Sequence, residues 1–151
     1  MKKLSILIVT ACFFMFTAPA SAQTQNHVFT GAEATLSNYK ALYVLNNGDE
    51  KKISGILRNI KNAMADPRLK GKLEIELVAF GDGVKLFEKS GPFEERLTDL
   101  LTKGVILAQC ENTLIQRKIE KSSLFSFISY VPSANGEIII RHSQGWAILN
   151  L

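Results

Sequence analysis

The sequence predicts an α/β fold: a three-layer α/β/α sandwich around a mainly parallel sheet of about five strands. Three observations point there. Short, nearly continuous apolar runs recur along the chain, as expected of strands covered on both faces. Amphipathic stretches at helical spacing separate them. Gly, Asn and Pro punctuate the junctions.

The order runs as follows. "KALYVLNN" is the first strand, closed by the turn "NNGD". "EKKISGILRNIKNAMADP" is a helix, because Ile53, Ile56, Leu57, Ile60 and Met64 share one face. Asp49 is placed to cap it and Pro67 lies just past its end, with Gly55 as its weak point. "KLEIELVAFGDG" is the second strand, ending in a Gly-x-Gly turn, and "VKLFEKS" a short helical turn. "GPFEERLTDLLTKG" is the second helix, with Pro92 at its first position, a stripe of Phe93, Leu97, Leu100 and Leu101, and Gly104 at its end. "VILAQC" is the third strand. "ENTLIQRKIEK" is a helix capped by Asn112, and "FSFISYV" a fourth strand. "EIIIRHSQGWAILNL" admits two readings. It is a hairpin turning at "SQG", or a helix from Ser133 to Ser143 followed by a strand from Trp146.

The first 22 of the 151 residues read as a cleavable signal peptide. Lys2 and Lys3 open it, Leu4 to Thr17 is its apolar core, and Ala20-Ser21-Ala22 is an A-x-A cleavage site. That core is too short to span a bilayer, so the mature chain is expected in the periplasm or outside the cell, without a membrane anchor. Residues 23–38 are polar and aperiodic and read as a mobile N-terminal segment. Residues 39–151 are one domain. Loss of Lys2 and Lys3 lowers the formal charge from +4 to +2. The remaining Lys and Arg are dispersed, so nucleic acid is not an expected partner.

Of two cysteines, Cys12 leaves with the leader and Cys110 stays alone, which excludes a disulfide framework. Cys110 falls where the third strand meets the following helix, on the carboxyl edge where α/β sheets place their chemistry. The positive end of that helix lowers a thiol pKa, and the neighbouring Glu111 opposes it, so a modestly activated thiol is expected. The alternative is a small buried residue with a packing role. Asn47, Gly81 and Gly83 fall on the same edge and are foremost turn residues. The Gly-x-Gly lacks the remainder of a dinucleotide fingerprint. Ser133 reads as a helix cap and not as the nucleophile of a serine hydrolase. His27 and His142 lie too far apart to form a metal set with one thiol, so neither a metal nor a cofactor is expected.

"YVLNNG", "IELVAFGDGVKLF", "GVILAQCENTL" and "VPSANGEIIIRHSQGWAIL" resemble the DsrE-like family (DsrE/DsrF-like, YchN-like) of sulfur-relay proteins, in order, over about Lys40 to Leu149. The resemblance implies a parallel α/β/α sandwich and homo-oligomers, often trimers or hexamers. It implies helix then strand for the C-terminal stretch. It further implies that Cys110 carries sulfur as a persulfide, exchanged with a sulfur donor and an acceptor. Asn47, Gly81, Gly83, Asn112 and Ser133 would line its pocket. Phe80 stands where such sequences often have His, and Ala134 where they often have Gly. The other class of function is a non-catalytic, oligomeric binding or assembly module in which Cys110 is structural.

Overall fold

In the computed structural model, residues 28–150 are described. The proposed leader and residues 23–27 lie outside them. Residues 28–38 form no helix or strand, and the regular fold begins at Tyr39.

Five strands, β1 (Tyr39–Leu45), β2 (Leu73–Ala79), β3 (Ile106–Cys110), β4 (Ser129–Val131) and β5 (Ala147–Asn150), form one sheet in the order β4-β3-β2-β1-β5. Every pairing is parallel. Four helices connect them: α1 (Glu50–Ala65), α2 (Glu94–Thr102), α3 (Glu111–Arg117) and α4 (Ala134–Ser143). The hairpin reading of the C-terminus is therefore replaced by helix then strand.

The topology dictates which face each helix covers. Parallel crossovers are right-handed, so connections that step the same way along the sheet lie on one face. The steps β1 to β2, β2 to β3 and β3 to β4 run one way, and β4 to β5 runs back. Accordingly Ile53, Ile56, Leu57 and Ile60 of α1, Leu97 and Leu100 of α2 and Leu114 of α3 share one large core with Tyr43, Leu77 and Leu107. On the other face α4 covers a smaller cluster of Leu42, Val44, Val78, Ala108, Cys110, Ala134 and Trp146. Alternation along each strand sends its neighbours to opposite faces, which is why Cys110 belongs to the α4 side and Gln109 to the other.

Local chemistry explains most boundaries. The Asp49 carboxylate accepts from the N–H groups of Lys51 and Lys52 and caps α1. Gly104, at φ +84°, ends α2 in the left-handed region that favours glycine.

Four expectations need correction. Pro92 is not the first residue of α2, because Phe93 occupies the cap and the helix starts at Glu94. Asn112 does not cap α3. β3 runs into the helix without a linker, so the cap falls on Cys110 itself. α3 stops at Arg117, where Lys118 turns left-handed at φ 55°. The fourth strand shrinks to Ser129–Val131. Upstream of it Phe125 donates its N–H to the Phe87 carbonyl instead of to β3, and its ring stacks on Phe127 at 5.2 Å.

Candidate functional site

Adjacent strands β3 and β4 send their chains to opposite faces, to α3 and α4 respectively. In parallel sheets such a switch opens a crevice at the carboxyl ends, which is where ligands bind. Cys110 is the last residue of β3 and pairs in register with Val131 of β4, so it stands at that switch.

The start of α4 supplies the contact at the sulfur. Ala134, the first residue of α4, donates its N–H to Cys110 Sγ at 3.3 Å. From α3, Thr113 and Asn112 also lower the thiol pKa, although no side-chain cap bond joins the sulfur to α3. Two helix N-termini thus converge on one thiol, each presenting N–H groups that favour negative charge. Burial raises the Cys110 pKa and is the largest single influence. The donors from Ala134, Thr113 and Asn112 together outweigh it, and the net shift is downward.

Thr113 was not singled out by sequence reasoning. It is buried, and its Oγ1 accepts the N–H of Gly81 at 3.0 Å. With that acceptor role taken, its hydroxyl proton is free for the sulfur. The readable signal was a hydroxyl residue in the first turn of a helix whose cap is a cysteine. Ala134 stood out only as a departure from the family's usual Gly, because its contribution is a backbone N–H delivered from 24 residues away.

Of the expected pocket residues, three gather here. Gly81, at φ +53°, reaches the site through Thr113. Asn112 contributes its backbone, and its N–H also meets the Pro132 carbonyl at 3.3 Å. Ser133 caps α4 by accepting the Gly136 N–H at 3.4 Å, which sets the orientation of Ala134. Asp82, in the same turn as Gly81, stays largely exposed and pairs with Arg117 of α3 at 2.8 Å.

Two residues stand apart. Gly83 packs against β1, where a Cβ would lie 2.3 Å from the Leu45 carbonyl oxygen; packing fixes it as glycine. Asn47 accepts the Asp49 N–H at 2.8 Å, a turn contact at the start of α1. It lines a separate cavity of about 820 Å3 with Gly48, Asp82, Lys85 and Phe93.

Cys110 itself is buried, 5% exposed, and does not line the cavity beside Asn47. Among the described residues no group of three or more His, Cys, Asp or Glu is placed to hold a metal ion. Nor, among them, is any helix long and apolar enough to cross a membrane.

Fold and site together define a parallel α/β protein with one thiol set at a strand switch between two helix starts. The chain belongs to the DsrE/DsrF-like family, whose model matches residues 11–151. Its fold is shared with a solved protein of unknown function from Methanobacterium thermoautotrophicum. That protein is 26% identical, with a TM-score of 0.71, over 76% of this chain and 100% of the other. A conserved protein of unknown function from Bacteroides thetaiotaomicron shares the fold at 18% identity and a TM-score of 0.55, over 74% of this chain and 94% of the other. None of the curated proteins matches the chain.

Proposed function

We propose that the protein carries sulfane sulfur on Cys110, as a component of a sulfur relay. The observation that carries this reading is the Ala134 N–H of α4 at the Cys110 sulfur, which together with the start of α3 lowers the thiol pKa against its burial. A packing cysteine needs no such donors. Family membership supports the same reading.

The chemistry is an exchange without net oxidation. The Cys110 thiolate attacks the terminal sulfur of a persulfide or polysulfide donor. A new S–S bond forms at Cys110, the donor's S–S bond breaks, and the donor departs as a thiolate. The thiolate of an acceptor then attacks the outer sulfur, takes it, and releases the Cys110 thiolate. The N–H groups of Ala134, Asn112 and Thr113 stabilise the anion before and after each step. Because Cys110 is buried, loading requires a local opening at the site.

The leader-like first 22 residues support export to the periplasm or beyond. Exposed Ile106 of β3 and Ile139 and Ile140 of α4 support a homo-oligomer, a trimer or hexamer by the family's habit.

The burial of Cys110 favours a second reading: a non-catalytic binding or assembly module whose cysteine is packing. Intact mass of the mature protein before and after polysulfide separates the two, with Cys110→Ser alongside. A one-sulfur adduct on the folded wild type alone, removed by a reducing thiol, is expected. Labelling of Cys110 only after denaturation would make the cysteine structural.

A further inference from the structure

The second face of the sheet holds a charged cluster that the sulfur chemistry leaves unused. Glu76 of β2 is 1% exposed, and its Oε2 lies 2.6 Å from Arg141 Nη2 of α4. Arg141 Nε also stands 2.8 Å from Glu137 Oε1, one turn back on α4. The guanidinium stacks 4.3 Å above the Trp146 ring, and Lys40 of β1 approaches the same ring at 5.9 Å. These contacts are charge pairs by distance. Glu76 Oε2 has no aligned hydrogen-bond donor, and the Trp146 Nε1 N–H has no acceptor.

A buried carboxylate in a sheet needs a reason, because apolar residues of like volume serve stability as well or better. The reason lies in how α4 is held. Of its ten residues only Ala134 is buried, whereas α1 buries four. Ile139 and Ile140 face outward and only Ala134 and the half-buried Ile138 pack on the sheet, so the apolar hold on α4 is sparse. Its N-terminal end carries the Ala134 N–H on the Cys110 sulfur. Its C-terminal half carries Arg141, two turns or about 10 Å further along the axis.

We propose that Glu76 and Arg141 are positioning residues for Cys110: their ion pair pins α4 to the sheet and so holds the Ala134 N–H at the sulfur. The pair touches neither the sulfur nor its donor. It acts through the helix between them. The assignment rests on Cys110 being the reactive group, but its test reads the thiol directly.

That test is a titration of the Cys110 thiolate by its ultraviolet absorbance, as the difference between each protein and the same protein carrying Cys110→Ser. The proteins are wild type, Glu76→Gln, Glu76→Gln with Arg141→Met, and His142→Gln as a control on the same helix. The sign of the shift is diagnostic. Glu76 sits opposite Ile106, four residues or about 13 Å short of Cys110 along β3. Removing its negative charge would, through charge alone, lower the thiol pKa. Loss of the pin withdraws a donor and raises it. We expect Glu76→Gln to raise the midpoint by about half a unit, about threefold less thiolate near neutrality. The double variant, which removes both charges of the pin and leaves Glu137 without Arg141, should rise equally, and His142→Gln should not move. An unchanged or lowered midpoint in folded Glu76→Gln and in the double variant would overturn the assignment. Polysulfide loading of wild type, read by mass on the same samples, judges the carrier function separately.

Discussion

The N–H of Ala134 meets the sulfur of Cys110 at 3.3 Å, across the switch between β4 and β3. Neither residue is near the other in sequence, and the contact joins a helix start to a strand end. It makes the thiol chemistry dependent on where α4 lies.

Ala134→Pro removes the N–H of this contact and puts the ring Cδ in its place against the sulfur, so the sulfur or the start of α4 must shift as well. Proline suits the first helical position, and Ser133 already has the extended backbone that a following proline requires. The variant lacks the N–H. Its Cys110 pKa should rise by about one unit, the worth of one hydrogen bond to a charged group. The pH dependence of thiolate absorbance reads it.

Thr113→Val removes a hydroxyl that accepts from Gly81 and acts on the sulfur. Two effects should appear together. The thiol pKa rises, and the orphaned Gly81 N–H destabilises the fold by about 1–3 kcal/mol. Thr113→Ser keeps the hydroxyl and should restore most of both. Chemical denaturation and thiol titration of the pair give the answer, and equal behaviour of Val and Ser would remove Thr113 from the site.

Two glycines should respond in opposite directions. Gly83→Ala forces a methyl group to 2.3 Å from the Leu45 carbonyl oxygen and should destabilise by about 1–3 kcal/mol or more. Gly55→Ala meets nothing within 4 Å, inside α1, and should stabilise by about 0.5–1 kcal/mol. Urea midpoints of the two variants compare them directly.

Linkage gives a pH signature. The folded Cys110 pKa is lowered, by donors that overcome burial, from the ordinary thiol value of 9.0. Between the folded value and 9.0 the unfolded chain binds the extra proton, so stability rises with pH and is lost as pH falls through the folded value. Cys110→Ser should flatten that rise. Glu76 behaves oppositely. Burial pushes its carboxyl above the ordinary 4.5, against the pull of Arg141 and with a further push from Glu137. Stability therefore falls as pH rises from 4.5 through the folded value, and Glu76→Gln should flatten that fall. Thermal midpoints across the two ranges measure both slopes.

Sequence alone determined the alternation of the first four strands and three helices, and left the C-terminal stretch open between a hairpin and helix then strand. It also determined the Asp49 and Ser133 caps, the stop at Gly104, and the placing of Cys110 on the carboxyl edge of the sheet. These are local matters: periodicity, capping chemistry and turn residues act within a few positions along the chain. Boundaries slipped where a tertiary contact overruled them. The Phe125 backbone turned to Phe87, and the cap moved from Asn112 to Cys110. Only the tertiary structure decided which donors face the sulfur. The strand order β4-β3-β2-β1-β5 puts α4 on the face opposite α3, and that reversal brings Ala134 to Cys110 and Arg141 to Glu76. It likewise separated Asn47 from the thiol, because the ends of β1 and β3 have β2 between them, and it turned Gly83 against Leu45 of β1. Sheet order follows from how crossovers pack over distances of tens of residues, and no local pattern of side chains encodes it.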